Sequence, residues 1–404
     1  MKSKNPVSGE SLHVDEQDFS FVLGGPLFRF FKWARLSDDE LGLLYRRIIV
    51  LVLFLWVPLL ILSALDGHLL SRNSFMPFLL DMDVHVRLLL VVPLLIFAEL
   101  IVHRRMRFME KQFRERDLIP ESSMTRFNSI ISSILRLRNS ILAEVLIIVF
   151  VYVVGVLIIW RHYTAFTTAT WYSVSSAEGS KLSPAGIWYG YVSLPIFQFI
   201  LLRWYFRLFI WIRFLWQVSR IKLKLIPMHP DRVAGLGFLS AMVYSFIPLV
   251  IAHGAMLTGQ IGNRIFFLGA TLLQYKFEIC AMVIIMLFVV LVPLMVFSAQ
   301  LIRAKLMGKL EYGTLAQRYV REFDFKWLRG NAPAGEQFIG SGDIQSLADM
   351  GNSYEIVRSM NIIPFTKELI FQIVLATIAP IIPLILTMMP IEELLKKLAG
   401  IIFR

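Results

Sequence analysis

The sequence predicts an all-α fold: a polytopic membrane helical bundle of about seven transmembrane helices, several of which extend into the cytoplasm. Of the 404 residues, 57% are hydrophobic and only 17% are charged, whereas a soluble domain has about 25% charged residues. Several apolar stretches reach about 18 residues or more, the length that crosses a bilayer as a helix. No stretch alternates as a barrel strand does, so helices are expected to satisfy the backbone in lipid.

The N-terminal region is predicted to lie outside the bilayer. Residues 1–20 are polar and are expected to be disordered. Residues 21–44 begin with aromatic side chains interleaved with cations, a pattern typical of an amphipathic helix at the membrane interface. A helix packed against the end of the bundle explains the same pattern equally well.

The spans follow from the apolar stretches. Spans 1 to 6, with their basic cytoplasmic helices, occupy 45–300, and span 7 occupies 364–390. Residues 301–363 are predicted to be a cytoplasmic helical segment in which Asp343 caps a helix, and 391–404 an amphipathic tail. The predicted spans, in order, cover about 48–65, 86–103, 141–160, 185–223, 235–258, 277–300 and 366–389.

The net charge of +12 comes from Lys and Arg residues that flank the apolar segments. These residues are concentrated after spans 2, 4 and 6 and are sparse after spans 1, 3 and 5. By the positive-inside rule, this asymmetry places the N-terminus in the cytoplasm and, with seven spans, the C-terminus outside. The same positions argue against a nucleic-acid partner and for anionic lipid head groups at the cytoplasmic face.

Ionisable residues within the spans are candidates for a functional site, because a charge in the bilayer is costly. Glu99 and His103 are four residues apart and share one face of span 2. Glu144, near the start of span 3, is expected to pair with Arg203 or Arg207 of span 4. These residues form either a proton or ion site or structural ion pairs between helices.

Span 7 carries the second group of candidates. Gln372, Ala376, Pro380, Pro383 and Thr387 fall along one helix face, and each proline removes a backbone donor and frees a carbonyl. This face could line a water-filled path with the prolines as a gate, or it could belong to an ordinary kinked helix. Two further residues are assigned to the same possible path, Thr377 of span 7 and His253 of span 5.

The stretch 226–239 joins spans 4 and 5 and gathers ionisable, turn-forming and small residues. Asp231 is placed to cap the start of span 5, where a carboxylate also suits the helix dipole. His229 can bond to Asp231 or face the pair formed by Glu99 and His103. A cap with close helix packing and a ligand or proton site are both compatible with this pattern.

No motif assigns an enzymatic activity. The sequence contains no P-loop, no H-E-x-x-H and no G-x-S-x-G motif. Its single cysteine, Cys280, excludes an intrachain disulfide and a cysteine-based zinc site. A metal site could only be assembled from distant spans by Glu99, His103, His229 and Asp231, and we predict neither a metal nor a cofactor.

Three stretches are distinctive when taken together: Leu201–Trp211, His229–Leu239 and Asp343–Arg358. In these stretches the chain resembles a family of bacterial seven-span inner-membrane proteins of similar length. The resemblance covers roughly 40–400 and implies a bacterial inner membrane but no activity. In topology alone, the chain is similar to the insect chemoreceptor type of tetrameric cation channel, although no motif of that family is matched.

Three functions are compatible with these features. The first is a homo-oligomeric channel or transport protein for ions or small solutes, which the polar seventh span and the intramembrane Glu and His residues favour. The alternative is a non-transporting scaffold or sensor that binds a cytoplasmic partner or anionic lipid through its basic helices. A membrane-embedded enzyme comes third.

Overall fold

The computed structural model describes residues 20, 22, 24–35, 43–70, 76–164, 170–176 and 179–388. Within these residues the fold is helical apart from one β-hairpin and two isolated bridges, and seven helices are long and apolar enough to cross a membrane. The predicted all-α bundle with seven spans is therefore confirmed, and the chain is a multi-pass membrane protein. The predicted segment 1–20, apart from Ser20, and the predicted tail 391–404 lie outside the described residues.

The elements are numbered in chain order, and the seven spans are α2, α3, α5, α6, α7, α8 and α10. A single 3₁₀ turn, Phe78–Leu80, precedes α3. The bounds are α1 (Pro26–Trp33), α2 (Leu44–Leu65), α3 (Met82–Glu115), α4 (Glu121–Arg138), α5 (Ile141–Trp160), β1 (Ser173–Ser176), β2 (Gly179–Leu182), α6 (Pro184–Val218), α7 (Phe238–Leu268), α8 (Leu272–Leu328), α9 (Gly342–Arg358) and α10 (Lys367–Ile385).

Three of the spans are much longer than a bilayer is thick. Helices α3, α6 and α8 have 34, 35 and 57 residues, and about 20 residues suffice to cross the hydrocarbon. Each therefore extends well beyond the membrane. Helix α7 continues to Leu268, past the predicted end of span 5, because Gly269 adopts a left-handed conformation that ends the helix there.

Side-chain caps explain where four spans begin. The first unpaired N–H groups of a helix need acceptors, and a carboxylate or hydroxyl oxygen accepts from one of them in each case. The capping residues are Asp81 for α3, Ser140 for α5, Ser183 for α6 and Thr366 for α10. Helix α8 begins with a reciprocal capping box between Thr271 and Gln274.

Helix α10 is interrupted at its two prolines. Its regular α-helical part ends at Ile378, a 3₁₀ turn covers Ala379–Ile381, and a short α-helical turn follows. Pro380 and Pro383 lack the N–H that would bond to the carbonyl four residues earlier, so the regular ladder cannot continue. The break lies where the sequence places a kink.

Helix α7 lies at the centre of the bundle, with most of its side chains buried. Its glycines allow close contact on two sides, as small residues do between membrane helices. A Cβ at Gly254 would overlap the Thr377 carbonyl of α10, and one at Gly259 would lie 2.9 Å from the Asp83 Cα of α3. Helices α2, α5 and the membrane part of α8 expose apolar side chains around this centre.

The bundle has two distinct ends. The basic end, as we name it, contains Arg47, the 103–140 segment, the turn 219–237 and the chain from Gln300 to Thr366. Contacts join these parts, including a bond from the Asn361 N–H to the Arg232 carbonyl (2.7 Å). The opposite end, named the hairpin end, carries the antiparallel pair β1–β2, in a segment where the sequence predicts only a loop.

The short helix α1 packs against the basic end. Its Leu27 N–H donates to Glu144 Oε2 at the start of α5 (2.9 Å), and the Gly25 N–H donates to Asn139 Oδ1 (3.1 Å). These contacts favour the second of the two alternatives for 21–44, a helix packed on the bundle end.

Beyond the bilayer-crossing part of α8, α9 runs antiparallel along it. Asp343 lies in the first turn of α9, and the residue at the N-cap is Ser341, so the prediction that Asp343 caps this helix is wrong. Its Oδ2 instead accepts from Lys326 Nζ and Trp327 Nε1 of α8, both at 2.8 Å. The carboxylate thus joins α9 to the distal end of α8.

Acidification is expected to loosen this hairpin. Hydrogen bonds from Lys326 and Trp327 hold the pKa of Asp343 below its ordinary value. A carboxylate with a lowered folded pKa contributes stability above its unfolded pKa, and this contribution is lost as the pH falls through the folded pKa. Protection factors for α9 in hydrogen exchange should therefore decrease below about pH 4. Asp343→Asn should abolish this dependence and Asp349→Asn should preserve it; equal profiles for both variants would contradict the role of Asp343.

Close packing at Gly254 gives a test of the central position of α7. Gly254→Ala should destabilise the protein by about 1–3 kcal/mol, because the added Cβ meets the backbone of α10. The matched control is Gly351→Ala, at a helical position with open space around it, where alanine favours the helix by up to about 1 kcal/mol. Thermal unfolding in detergent, followed by circular dichroism, measures both. A Gly254→Ala variant as stable as the wild type would show that α10 does not pack tightly on α7.

Candidate functional site

A buried carboxylate lies between two arginines at the basic end. Glu99 of α3 accepts from Arg207 Nη2 of α6 at 2.7 Å through Oε1, and from Arg47 of α2 through Oε2. All three side chains are buried, with exposed fractions of 10% or less. A buried ion pair is favourable only when its geometry is good and its partners are complete, so this contact fixes how α2, α3 and α6 meet.

A second pair extends the cluster to α5. Glu144 lies 3.5 Å from Arg203 Nη2, and its other oxygen accepts from the Leu27 N–H. Arg203 is one helical turn from Arg207, so α6 supplies cations to both carboxylates. We call Arg47, Glu99, Glu144, Arg203 and Arg207 the charge cluster; it joins four spans and carries one more positive than negative charge.

The sequence pattern does not single out Arg47. It directly follows Arg46, and both look like flanking charges that follow the positive-inside rule. In the structure Arg46 is exposed, whereas Arg47 is buried and also lies over the Phe31 ring, 5.2 Å from its centre. Arg46 and Arg47 differ because they lie on different faces of α2, and only the face of Arg47 is buried.

His103 takes no part in a pair with Glu99. Its Nδ1 is 2.7 Å from the Ser20 hydroxyl, and the Ser20 carbonyl accepts from Arg138 Nη1 at 2.6 Å. His103 therefore holds Ser20 against the bundle. Glu99 and His103 are both buried, as their shared helix face predicts, but Glu99 meets arginines and His103 meets Ser20.

The turn between α6 and α7 is organised by Asp231. Its carboxylate accepts from the N–H groups of Val233, Gly235 and Gly237 at 2.8–3.1 Å. Helix α7 begins at Phe238 with Gly237 at the N-cap, so Asp231 is not the N-cap residue, although it satisfies an N–H at that position. These bonds support the structural interpretation of this stretch.

His229 belongs to the same turn. Its Nδ1 lies 2.9 Å from Asp231 Oδ1. Among the described contacts, none joins His229 to Glu99 or His103, and no group of three or more His, Cys, Asp or Glu side chains in the described ranges could hold a metal ion. The four residues considered for a metal site therefore have separate roles. Glu99 belongs to the charge cluster, His103 contacts Ser20, and His229 and Asp231 contact each other in the turn.

Span 7 does not present its candidate residues to one path within the protomer. Thr377 is fully buried, with its hydroxyl bonded to the Ile373 carbonyl (2.8 Å), and Pro380 is half-buried against α7. Gln372, Pro383 and Thr387 are exposed on the outside of the bundle. The helical face drawn from the sequence is split because α10 packs on α7 through Ile373, Ala376 and Thr377.

His253 is satisfied within the bundle. Its Nδ1 lies 2.7 Å from the Leu249 carbonyl and its Nε2 lies 2.7 Å from the Tyr205 hydroxyl. A neutral imidazole fits both contacts, with Nδ1–H donating to the carbonyl and Nε2 accepting from the phenol. This arrangement is that of a packing histidine between α6 and α7.

A polar cluster at the hairpin end is absent from the candidates drawn from the sequence. Asp81 Oδ2 accepts from Trp171 Nε1 and Oδ1 from Asn263 Nδ2, both at 2.8 Å, while Asp83 pairs with Arg87 at 2.7 Å. The i, i+4 spacing of Asp83 and Arg87 is a signal for the second contact. The first contact joins residues separated by more than 80 positions, for which the sequence offers no signal.

Comparison with family models, curated proteins and solved structures finds no match to this chain.

Removing the carboxylate at the centre of the charge cluster should strongly destabilise the protein. Glu99→Gln leaves Arg47 and Arg207 buried without their anion, for which we expect a loss of about 3–5 kcal/mol. The control Glu322→Gln breaks an exposed pair with Arg318 and should cost no more than about 1 kcal/mol. Unfolding in detergent measures both.

The triple variant Arg47→Met, Glu99→Leu, Arg207→Met tests whether the stability lost in Glu99→Gln comes from the unpaired charges or from poorer packing. It removes the whole buried group and should recover much of the lost stability, since apolar replacements of buried ion pairs are often neutral. If Glu99→Gln unfolds like the wild type, the cluster does not hold the helices together.

Proposed function

We propose that the protein is a channel or transport protein of the bacterial inner membrane, and that its pathway for ions or small solutes runs between copies of the chain. The copies form a homo-oligomer, and the N-terminus and the basic end face the cytoplasm. The concentration of Lys and Arg at the basic end supports this orientation.

The packed interior of one protomer supports a pathway between protomers. The polar side chains on the central helices bond locally: the Thr258 hydroxyl to the Gly254 carbonyl (2.8 Å), Thr377 to Ile373, and His253 to Leu249 and Tyr205. The surrounding core consists of a large cluster of buried apolar side chains and a smaller one that contains Ile261, Ile381 and Leu384. A solute that crosses here would have to displace close-packed atoms.

The exposed face of α10 carries the proposal. Gln372 is exposed and has no hydrogen-bond partner among the described residues, and Pro383 is exposed where α10 is interrupted. An amide that faces lipid without partners is costly, and irregular backbone at membrane depth is tolerated where protein or water covers it. A water-filled path between neighbouring copies of α10 would satisfy both features.

Helix α8 supports the oligomer. Its distal part, 301–328, contains nine charged residues, too many for a membrane span. The same part exposes large apolar side chains, although its charge places most of it outside the hydrocarbon. These side chains are Leu306, Leu310, Val320, Phe325 and Leu328, each exposed by at least half. A second copy of the chain would cover this stripe.

Flux through liposomes tests the function. Purified protein reconstituted at known copy number should release small monovalent ions, and Gln372→Leu should reduce the rate by about tenfold or more, because each 1.4 kcal/mol of lost stabilisation along the path is a factor of ten. The matched control is the neighbouring exposed residue, Phe371→Leu, which exchanges one apolar side chain for another and should keep the rate. Cross-linking in the same liposomes should give oligomers. The proposal is contradicted if the liposomes remain impermeable to ions and small solutes, or if Gln372→Leu and Phe371→Leu give equal release rates.

A non-transporting scaffold or sensor is the second candidate. The observation that favours it is the amount of helix beyond the bilayer at the basic end, which comprises α4, α9 and the distal part of α8. A partner protein that co-purifies in fixed proportion, together with tight liposomes, would favour this candidate over transport.

A further inference from the structure

A cleft of about 720 Å³ opens at the basic end between the end of α6 and helix α8. One side is formed by the last turn of α6 and the extended chain that follows it, and the other side by α8 where its apolar span ends. Its walls combine apolar and basic side chains. Its lining includes Trp216, Arg220, Lys222, Val296, Ala299 and Arg303.

Three cations line the cleft, and no acidic residue does. Arg220, Lys222 and Arg303 are exposed and have no ion-pair partner among the described side chains. Neighbouring cations are engaged: Lys224 pairs with Asp117 at 2.7 Å, and Lys305 donates to the Met360 carbonyl at 2.6 Å. What distinguishes the three cations is that they line one cleft together without an acidic side chain among its lining residues.

The backbone that carries these cations is held in place. Gln300 of α8 donates from Nε2 to the Ser219 and Ile221 carbonyls at 2.6 and 2.9 Å, and accepts from the Leu223 N–H at 3.4 Å. One amide thus fixes the extended chain on both sides of Lys222. Like charges held around one cavity repel each other, and an anion in the cavity relieves that repulsion.

The apolar wall indicates what kind of anion fits. Trp216 is half-exposed, and Arg220 lies over its ring, 5.1 Å from the centre. Tryptophan is typical of the level where hydrocarbon meets head groups. Val296 and Ala299 continue this wall along the apolar part of α8. The cleft therefore offers cations at the water side and an apolar surface towards the membrane.

We propose that this cleft binds the phosphate of an anionic phospholipid, with Arg220, Lys222 and Arg303 around the head group and an acyl chain along Trp216 and Val296. Guanidinium and ammonium groups are the usual phosphate ligands, and basic pockets between membrane helices bind lipid head groups. A soluble phosphate compound would use the same cations but would leave the apolar wall uncovered. The site does not depend on whether the protein transports.

Native mass spectrometry of detergent-purified protein with added lipid tests the site. Phosphatidylglycerol should bind with at least about tenfold higher affinity than phosphatidylcholine, and the variant Arg220→Gln, Lys222→Gln, Arg303→Gln should lose that preference, since each cation near a head group contributes about 1 kcal/mol. The matched control removes three charges from distal α8 and the loop after it: Arg318→Gln, Arg321→Gln, Arg329→Gln. It should bind phosphatidylglycerol as the wild type does.

Two further measurements keep the outcome clear. Thermal unfolding without added lipid should be the same for the cleft variant and the wild type, because its three side chains are exposed; a lower melting temperature would mean that these cations serve the fold. Glycerol phosphate should not displace the lipid at similar concentration. Displacement by glycerol phosphate would assign the cleft to a soluble phosphate compound and overturn the proposal. An equal loss of phosphatidylglycerol affinity in both triple variants would show that the lipid responds to surface charge in general, which also overturns it.

Discussion

Glu99, held between the guanidinium groups of Arg47 and Arg207, is the contact on which the arrangement of the spans depends. Apolar helices in lipid gain little from burying one apolar face against another, because the lipid tails are equally apolar. A buried carboxylate with two partners from different helices supplies the missing specificity. Sliding any of these helices by one turn, about 5.4 Å, would leave a charge buried without its partner.

Small residues then set the separation of the helices between the two ends. Gly254 and Gly259 bring α10 and α3 against the central helix α7, so the interior is filled by backbone and apolar side chains. The ion pairs of the spans lie at the ends, in the charge cluster and between Asp83 and Arg87. Between the ends, His253 and the threonines bond to neighbours within the bundle. The close packing of α7 against α3 and α10 leaves the exposed side of α10 as the place where the proposed pathway would run.

The sequence predicts the spans, their number and two of the buried carboxylates, Glu99 and Glu144. Long apolar runs and intramembrane charges are local signals, and for Glu144 they predict a partner among Arg203 and Arg207 of α6, of which it meets Arg203. Other features depend on rotation and distance that no local pattern encodes. Arg46 and Arg47 look alike until the buried face of α2 is known, and the face of α10 is divided by its contact with α7. Asp81 meets Trp171 and Asn263 only because three loops and helix ends converge.

Helix α6 shows how one pattern serves two purposes. Its arginines recur along the helix, but Arg203 and Arg207 have little exposed surface and meet carboxylates, whereas Arg220, just beyond its end, is exposed and meets none. The change occurs where the helix leaves the neighbours that supply Glu99 and Glu144. Beyond that level Arg220 has no acidic partner among the described residues, and the proposed lipid phosphate would supply its anion. The arginines of one segment can therefore fix the bundle with their first two positive charges and leave a later one exposed, where the proposed lipid site lies.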